Sequence, residues 1–180
     1  YRIFDANRTN TNAGLNNAYV LYEDRNDDKQ ITVNTIYNLE INNHISINGK
    51  VEYKQLRSHN FAEVIDLLGG SGYLDINNFA DSEAQMQNDI LNPNRVVGVG
   101  DTFRYNFNLK SDFINAFAQG QFKYNKVDFF AAVKVSQITN QREGLYKNGR
   151  FENNSLGASE KINFTNYGIK TGATYKINGR

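Results

Sequence analysis

Apolar and polar residues alternate with a period of two along five stretches of the chain, a pattern that predicts β-strands rather than helices. In the clearest stretch one face carries Ile31, Val33, Tyr37, Leu39 and Ile41, and the other carries mainly Asn, Thr, Gln and Glu. The predicted strands cover residues of about 29–41, 44–57, 112–124, 127–138 and 163–177. The pattern therefore indicates an all-β protein with long antiparallel strands.

The connections between these strands alternate between short and long. Asn42-Asn43 and Asn125-Lys126 have the residues of tight turns. The other connections, residues 1–28, 58–111 and 139–162, are long. Up-and-down outer-membrane β-barrels show this asymmetry, with short periplasmic turns and long outer loops. The chain is therefore predicted to be a segment of a transmembrane β-barrel.

Segment 58–111 carries two further local signals. Residues 79–91 have the pattern of a short helix, capped by Asp81 or Ser82 and stopped before Pro93. Apolar residues alternate in odd register over 103–109 and in even register from 114 onward. A single strand over 102–124 would therefore need a β-bulge near residues 110–112.

Over residues 30–41, 44–56, 113–124, 127–138 and 163–177, where apolar and polar residues alternate, the charged residues fall on one face. That polar face carries Glu40, Lys50, Glu52, Lys54, Lys123, Asp128, Lys134, Lys170 and Lys176. A Lys or Arg that faces lipid at the bilayer midplane costs about 2–4 kcal/mol, so a lipid-facing surface excludes such residues. A soluble or surface-attached β-sandwich that binds carbohydrate or another ligand also alternates, and it is the alternative interpretation.

Aromatic residues lie near both ends of the predicted apolar face, as they do in the interfacial girdles of membrane barrels. Those near the tight turns are Phe122, Tyr124, Phe129 and Tyr175, and those near the long loops are Tyr53 and Tyr167. Ordinary enrichment of Tyr and Phe in strands is the alternative explanation.

Composition excludes several functional classes. The 180 residues have a formal net charge of +1 and no Cys, which argues against nucleic-acid binding and against thiolate chemistry. His44 and His59 lie at opposite ends of one predicted strand, too far apart to share a metal ion. No serine has the pattern of a nucleophile elbow. We therefore expect neither an enzyme nor a metal or cofactor site.

Short motifs along the chain resemble the mid-barrel region of TonB-dependent outer-membrane receptors, in the branch with an N-terminal carboxypeptidase-regulatory-like domain. Among them are Glu143-Gly-Leu-Tyr146, Asn148-Gly-Arg-Phe151 and Phe164-Thr-Asn-Tyr-Gly-Ile-Lys170. Residues 22–28, 122–130, 154–157, 159–161 and 174–180 extend the resemblance.

The resemblance implies a Gram-negative outer-membrane transporter with extracellular loops. It would import a scarce nutrient such as an iron chelate, a cobalamin-like cofactor or a glycan. Its expected partners are the lipid bilayer, the rest of the barrel with its plug, TonB acting through the plug region, and a surface lipoprotein. The chain would supply about five strands of a 22-stranded barrel. We expect it to be part of a longer protein, because even the smallest barrels have about eight strands and no plug or TonB box is recognisable.

Aromatic and Arg side chains in the long loops are the candidate ligand contacts, because such groups commonly anchor ligands. Segment 58–111 contributes Tyr73, Arg95, Phe103, Arg104 and Tyr105. Segment 139–162 contributes Arg142, Tyr146 and Arg150. The alternative for each is that the side chain packs one loop against another.

Overall fold

The computed structural model describes residues 2–177. Its elements are α1 (Arg2–Asn12), β1 (Leu21–Asn42), β2 (Ile45–Asp66), β3 (Tyr73–Leu74), α2 (Glu83–Met86), β4 (Val96–Val97), β5 (Thr102–Lys123), β6 (Val127–Gly144), a 3₁₀ helix (Gly149–Phe151), β7 (Gly157–Ala158) and β8 (Ile162–Tyr175). The structure thus confirms a mostly antiparallel β protein with long strands.

The long strands form one sheet in the order β1-β2-β5-β6, and β7 and β8 both pair with β6. Strands β3 and β4 form a separate two-stranded antiparallel sheet. Within residues 2–177 the large sheet is not closed on itself.

The strands are longer than their alternation predicted. β1 begins at Leu21, β2 ends at Asp66, β5 begins at Thr102 and β6 ends at Gly144. The predicted loops 1–28, 58–111 and 139–162 are therefore partly strand, and β5 continues through residues 110–112. The extension of β5 is the exception, since residues 103–109 alternate and the sequence raised a single strand over 102–124. In the extensions of β1, β2 and β6 alternation fails because both faces carry polar groups. One example is the ion pair between Arg25 and Glu63, with a nitrogen–oxygen distance of 2.5 Å.

Both helices lie in segments that were predicted as loops. Ser82 caps α2 by accepting a hydrogen bond from the Gln85 backbone, as the sequence predicted. Helix α1 was not predicted, because its sequence is rich in Asn and Thr, which are poor helix formers. Among residues 2–177, no helix combines the length and apolarity required to cross a membrane.

The predicted single domain 1–180 divides into two compact units. Within the described residues, unit 1 contains 2–29, 57–110 and 141–160, and unit 2 contains 30–56, 111–140 and 161–177. The long strands β1, β2, β5 and β6 each contribute residues to both units.

Unit 1 has a small apolar core supported by buried amides. Its fully buried members are Ala62, Val64, Val97 and Phe103. Nearby, Asn7 of α1 is completely buried, and its amide group donates to the backbone oxygens of Tyr19 and Leu67 at 2.9 Å each. Its side-chain oxygen accepts from the backbone N–H groups of Ala18 and Tyr19 at 3.1 Å each. Tertiary hydrogen bonds from Asn7 therefore hold α1 in place.

Gly144 allows a close backbone approach where β6 pairs with β7 in unit 1. A Cβ atom at this position would lie 1.6 Å from the backbone oxygen of Ser155. Because that oxygen belongs to the main chain, a larger residue cannot be accommodated by a side-chain rotation.

In unit 2 the register of β6 and β8 leaves one face of this strand pair without charged residues. Five cross-strand pairs lie on that face of β6 and β8: Val127 with Tyr175, Phe129 with Ala173, Ala131 with Thr171, Val133 with Ile169, and Val135 with Tyr167. The opposite face pairs Asp128 with Thr174, Ala132 with Lys170 and Lys134 with Gly168. We call the first surface the apolar face of unit 2.

No part of residues 2–177 covers the apolar face of unit 2. Val133 is 52% exposed and Ile169 is 78% exposed, although both are large aliphatic side chains. Near the tight turn of unit 2, the rings of Phe122 and Phe129 stack with their centroids 4.5 Å apart. A soluble sandwich would place a second sheet over such a face.

Candidate functional site

The candidate site of unit 1 is built around a buried carboxylate. Asp75 follows β3 and is 3% exposed. Its Oδ2 accepts a hydrogen bond from the Arg95 guanidinium at 2.7 Å, and its Oδ1 accepts from the Asn88 amide at 2.8 Å. Oδ1 also accepts from the backbone N–H of Arg104 at 2.9 Å. The carboxylate is therefore paired and hydrogen-bonded, as a buried charge must be.

The Arg95 guanidinium joins this carboxylate to the end of β6. It also donates to the backbone oxygen of Thr102 and, at 2.8 Å, to the hydroxyl of Tyr146. That hydroxyl donates to the Thr102 backbone oxygen at 3.0 Å. Burial lowers the pKa of Arg95, but the hydrogen bonds and charges of Asp75 and Tyr146 outweigh burial and leave this pKa above its ordinary value.

Arg104 has an unusual backbone conformation near the start of β5. Its φ angle is +61°, in the left-handed region that side-chain-bearing residues seldom occupy. This conformation costs about 1–3 kcal/mol, and such costs are common at functional sites. The hydrogen bond from its N–H to buried Asp75 stabilises it. The side chain of Arg104 is exposed, lies 4.9 Å from the Tyr22 ring centroid and donates to the Tyr22 hydroxyl.

A cavity of about 430 Å³ lies beside Arg104, entirely within unit 1. Its walls combine aromatic rings, amides and one charged side chain. They are formed by Val20, Tyr22, Tyr73, Ile76, Asn77, Asn78, Phe79, Asn88, Phe103, Arg104 and Tyr105. Phe79 is 94% exposed, whereas Phe103 is buried against the rings of Tyr22 and Tyr73. The volume falls within the range of small-molecule pockets, about 300–1,000 Å³.

Tyr105, a residue of the cavity wall, is hydrogen-bonded to the carboxylate of Asp24. The Tyr105 hydroxyl donates to Oδ1 of Asp24 at 2.8 Å. Burial and this hydrogen bond raise the pKa of Tyr105 to about 12, because the negative phenolate is disfavoured beside a carboxylate. Tyr105 is therefore a neutral hydrogen-bonding group at ordinary pH.

The structure brings six of the eight predicted site residues together. Four of them line the cavity: Tyr73, Phe103, Arg104 and Tyr105. The other two belong to the hydrogen-bond network of Asp75, in which Arg95 donates to both Asp75 and Tyr146. Arg142 and Arg150 are not among the residues of the cavity wall. Arg142 lies 4.9 Å from the Phe107 ring centroid and donates to the Ser155 backbone oxygen at 3.1 Å, a loop-packing role. Arg150 is exposed in the 3₁₀ helix.

Asp75, Asn88 and Tyr22 are among the residues of the site that were not singled out from the sequence. Asp75 and Asn88 look like ordinary loop residues, because an isolated Asp or Asn is common in turns. Tyr22 belongs to a predicted loop, and only the resemblance at residues 22–28 pointed to it. The hydrogen bond that joins Asp75, after β3, to the backbone of Arg104 at the start of β5 cannot be read from local periodicity.

Histidines and carboxylates do not assemble a metal centre in the described part of the chain. Within residues 2–177, no three His, Cys, Asp or Glu side chains are grouped closely enough to hold an ion. Both histidines have other roles: His59 Nε2 lies 2.7 Å from the Asn106 side-chain oxygen, and His44 Nδ1 lies 2.8 Å from the Lys123 backbone oxygen.

A scan against protein-family models found no match to this chain, and a search of the curated proteins found none either.

Proposed function

We propose that the chain is part of a TonB-dependent outer-membrane transporter. Unit 2 forms part of the barrel wall, and the cavity of unit 1 binds a scarce nutrient at the extracellular surface. The nutrient is of the class of iron chelates, cobalamin-like cofactors or glycans. The rest of the barrel, its plug and TonB then complete import, so the chain itself carries out no covalent chemistry.

The observation that carries this proposal is the exposed apolar face of unit 2. Its side chains carry no charge and its large ones are exposed, while Asp128, Lys134 and Lys170 lie on the opposite face. Removing such a surface from water is favourable by about 25 cal/mol for each Å² of apolar area. A bilayer would cover it without any further protein element, and the aromatic stack of Phe122 and Phe129 supports an interfacial position for the turn end.

Site-specific labelling tests which side of the sheet faces lipid. The chain contains no Cys, so a single introduced cysteine gives a unique label within it. Ile169→Cys places the label on the apolar face of β8, and Asn166→Cys places it on the opposite face of the same strand. Both positions are exposed and can react. The label is a fluorophore, and the full-length protein is studied in bilayers that contain brominated, fluorescence-quenching lipids.

We expect brominated lipids to quench the label at position 169 severalfold more than the label at position 166. Weak quenching at both positions would contradict the membrane assignment and favour the soluble or surface-attached β-sandwich. Equal, strong quenching at both would contradict the assigned lipid face.

A further inference from the structure

We propose that Arg104 makes the unit 1 cavity selective for a small organic anion, with one carboxylate attached to a ring. This inference rests on the proposed function, because it names the class of nutrient that the cavity takes. It narrows the three nutrient classes by charge and shape.

The Arg104 guanidinium is the charged group of the cavity wall that a ligand can contact. Among the residues of the cavity wall, Arg104 is the one with a charged side chain. The two nearby carboxylates are already engaged, Asp75 by Arg95 and Asp24 by the Tyr105 hydroxyl. Within residues 2–177, the structure shows no ion pair for Arg104. The Tyr105 hydroxyl does not neutralise the Asp24 carboxylate, but Arg104 is the one cation of the described cavity wall, so an anion that entered the cavity would bind there.

The guanidinium of Arg104 is also positioned in advance. Its backbone is fixed by the hydrogen bond to Asp75, and its side chain is held over the Tyr22 ring. A guanidinium has five N–H donors, and the described contact to the Tyr22 hydroxyl uses one donor direction. The planar fork that remains matches the two oxygens of a carboxylate.

The rest of the cavity wall favours a ring beside that carboxylate. Tyr22, Tyr73 and Tyr105 provide ring surfaces with polar tips, and the amides of Asn77 and Asn78 can bond to hydroxyl groups. Both a benzoate-like aromatic acid and a uronic acid have this combination of ring, hydroxyls and carboxylate. The shared chemistry is a hydroxylated ring acid, and the experiment separates the two sources.

Two matched pairs of probes test the charge requirement. The aromatic pair is 4-hydroxybenzoate and 4-hydroxybenzyl alcohol, and the sugar pair is D-glucuronate and D-glucose. Dissociation constants are measured by ligand-observed NMR titration with the full-length protein. The variants are Arg104→Gln, Arg104→Lys and the control Arg8→Gln, an exposed arginine of α1 that is not part of the cavity wall.

In at least one pair we expect the acid to bind about tenfold more tightly than its neutral partner, the gain of one charge-assisted hydrogen-bonded pair. Arg104→Gln should remove that preference. The dissociation constant of the neutral probe should stay unchanged, which would show that the cavity is intact. Arg104→Lys should restore part of the preference, and Arg8→Gln should keep all of it. The pair that responds identifies the ligand as aromatic or as a sugar.

Three results would overturn the inference: equal binding of acid and neutral partner in both pairs, an acid preference that survives Arg104→Gln, or no saturable binding of any probe up to about 20 mM, a concentration far above typical ligand affinities. None of these results alters the lipid-quenching test. A failed quenching test with a retained acid preference would instead refute the membrane assignment and leave the anion site in place.

Discussion

Replacing Asp75 with Asn removes the negative charge at the centre of the unit 1 network and keeps the side-chain shape. The Asn oxygen can still accept from the Asn88 amide and the Arg104 backbone, but its NH₂ group would face the Arg95 guanidinium at 2.7 Å, donor against donor. A hydrogen bond between charged groups contributes about 1.5–3 kcal/mol. Because the Arg95 side chain is 30% exposed, water can replace part of that contact. We therefore expect a loss of about 2 kcal/mol.

Hydrogen–deuterium exchange read by mass spectrometry measures this loss locally, which suits a chain with two compact units. A loss of about 2 kcal/mol corresponds to about thirtyfold faster exchange. The increase should appear in peptides from residues 73–105. Peptides from β8, which belongs to unit 2, serve as the internal reference and should exchange as in the wild type.

A double-mutant cycle with Arg95→Met separates the ion pair from general disruption. Each single variant should lower the protection of amides against exchange. The double variant should lose clearly less stability than the sum of the two single losses, because it contains no buried charge without its partner. Wild-type exchange in Asp75→Asn over residues 73–105 would refute the reasoning, since it would mean that the network does not stabilise the cavity.

Three further predictions concern other parts of the chain. Asn7→Ala should raise the amide exchange of α1 at least tenfold, because it removes the tertiary hydrogen bonds of the Asn7 side chain. In ¹³C-tyrosine NMR, Tyr105 should titrate near pH 12, and Asp24→Asn should lower its pKa. Since the folded-state pKa exceeds the unfolded value of about 10, the stabilisation from neutral Tyr105 is present below pH 10 and is lost as pH rises through about 12. Gly144→Ala should abolish protection where β6 meets β7, whereas Gly168→Ala, with open space around its Cβ, should not reduce protection.

The all-β class was readable from the sequence because the alternation of apolar and polar residues separates the two faces of each strand. In β6 and β8 the predicted faces and the observed register coincide residue by residue. The ends of β1, β2 and β6 in unit 1 were not readable, because both faces of these extensions carry polar groups and the period of two disappears. There the pairing is fixed by contacts between strands, such as Arg25 with Glu63.

The candidate site was predicted in part. Residue type alone selected Tyr73, Arg95, Phe103, Arg104, Tyr105 and Tyr146, because aromatic and Arg side chains in long loops are plausible ligand anchors. Residue type could not distinguish these from Arg142 and Arg150, which are chemically equivalent. The difference is position: Tyr73, Arg95, Phe103, Arg104, Tyr105 and Tyr146 lie at the cavity wall or in the Asp75 network, whereas Arg142 lies in β6 against Phe107 and Arg150 lies exposed in the 3₁₀ helix.

The sequence by itself determined the strands, the tight turns and the separation of charge from apolar surface, since these depend on neighbours only a few residues apart. Tertiary structure alone decided that Asp75, which the sequence left unremarked, lies buried between Arg95 and the backbone of Arg104. It also decided that Arg104 adopts a left-handed backbone conformation and keeps an unpaired charge at a cavity. These features arise where segments distant along the chain meet, and no local pattern encodes which of many polar loop residues will be desolvated together.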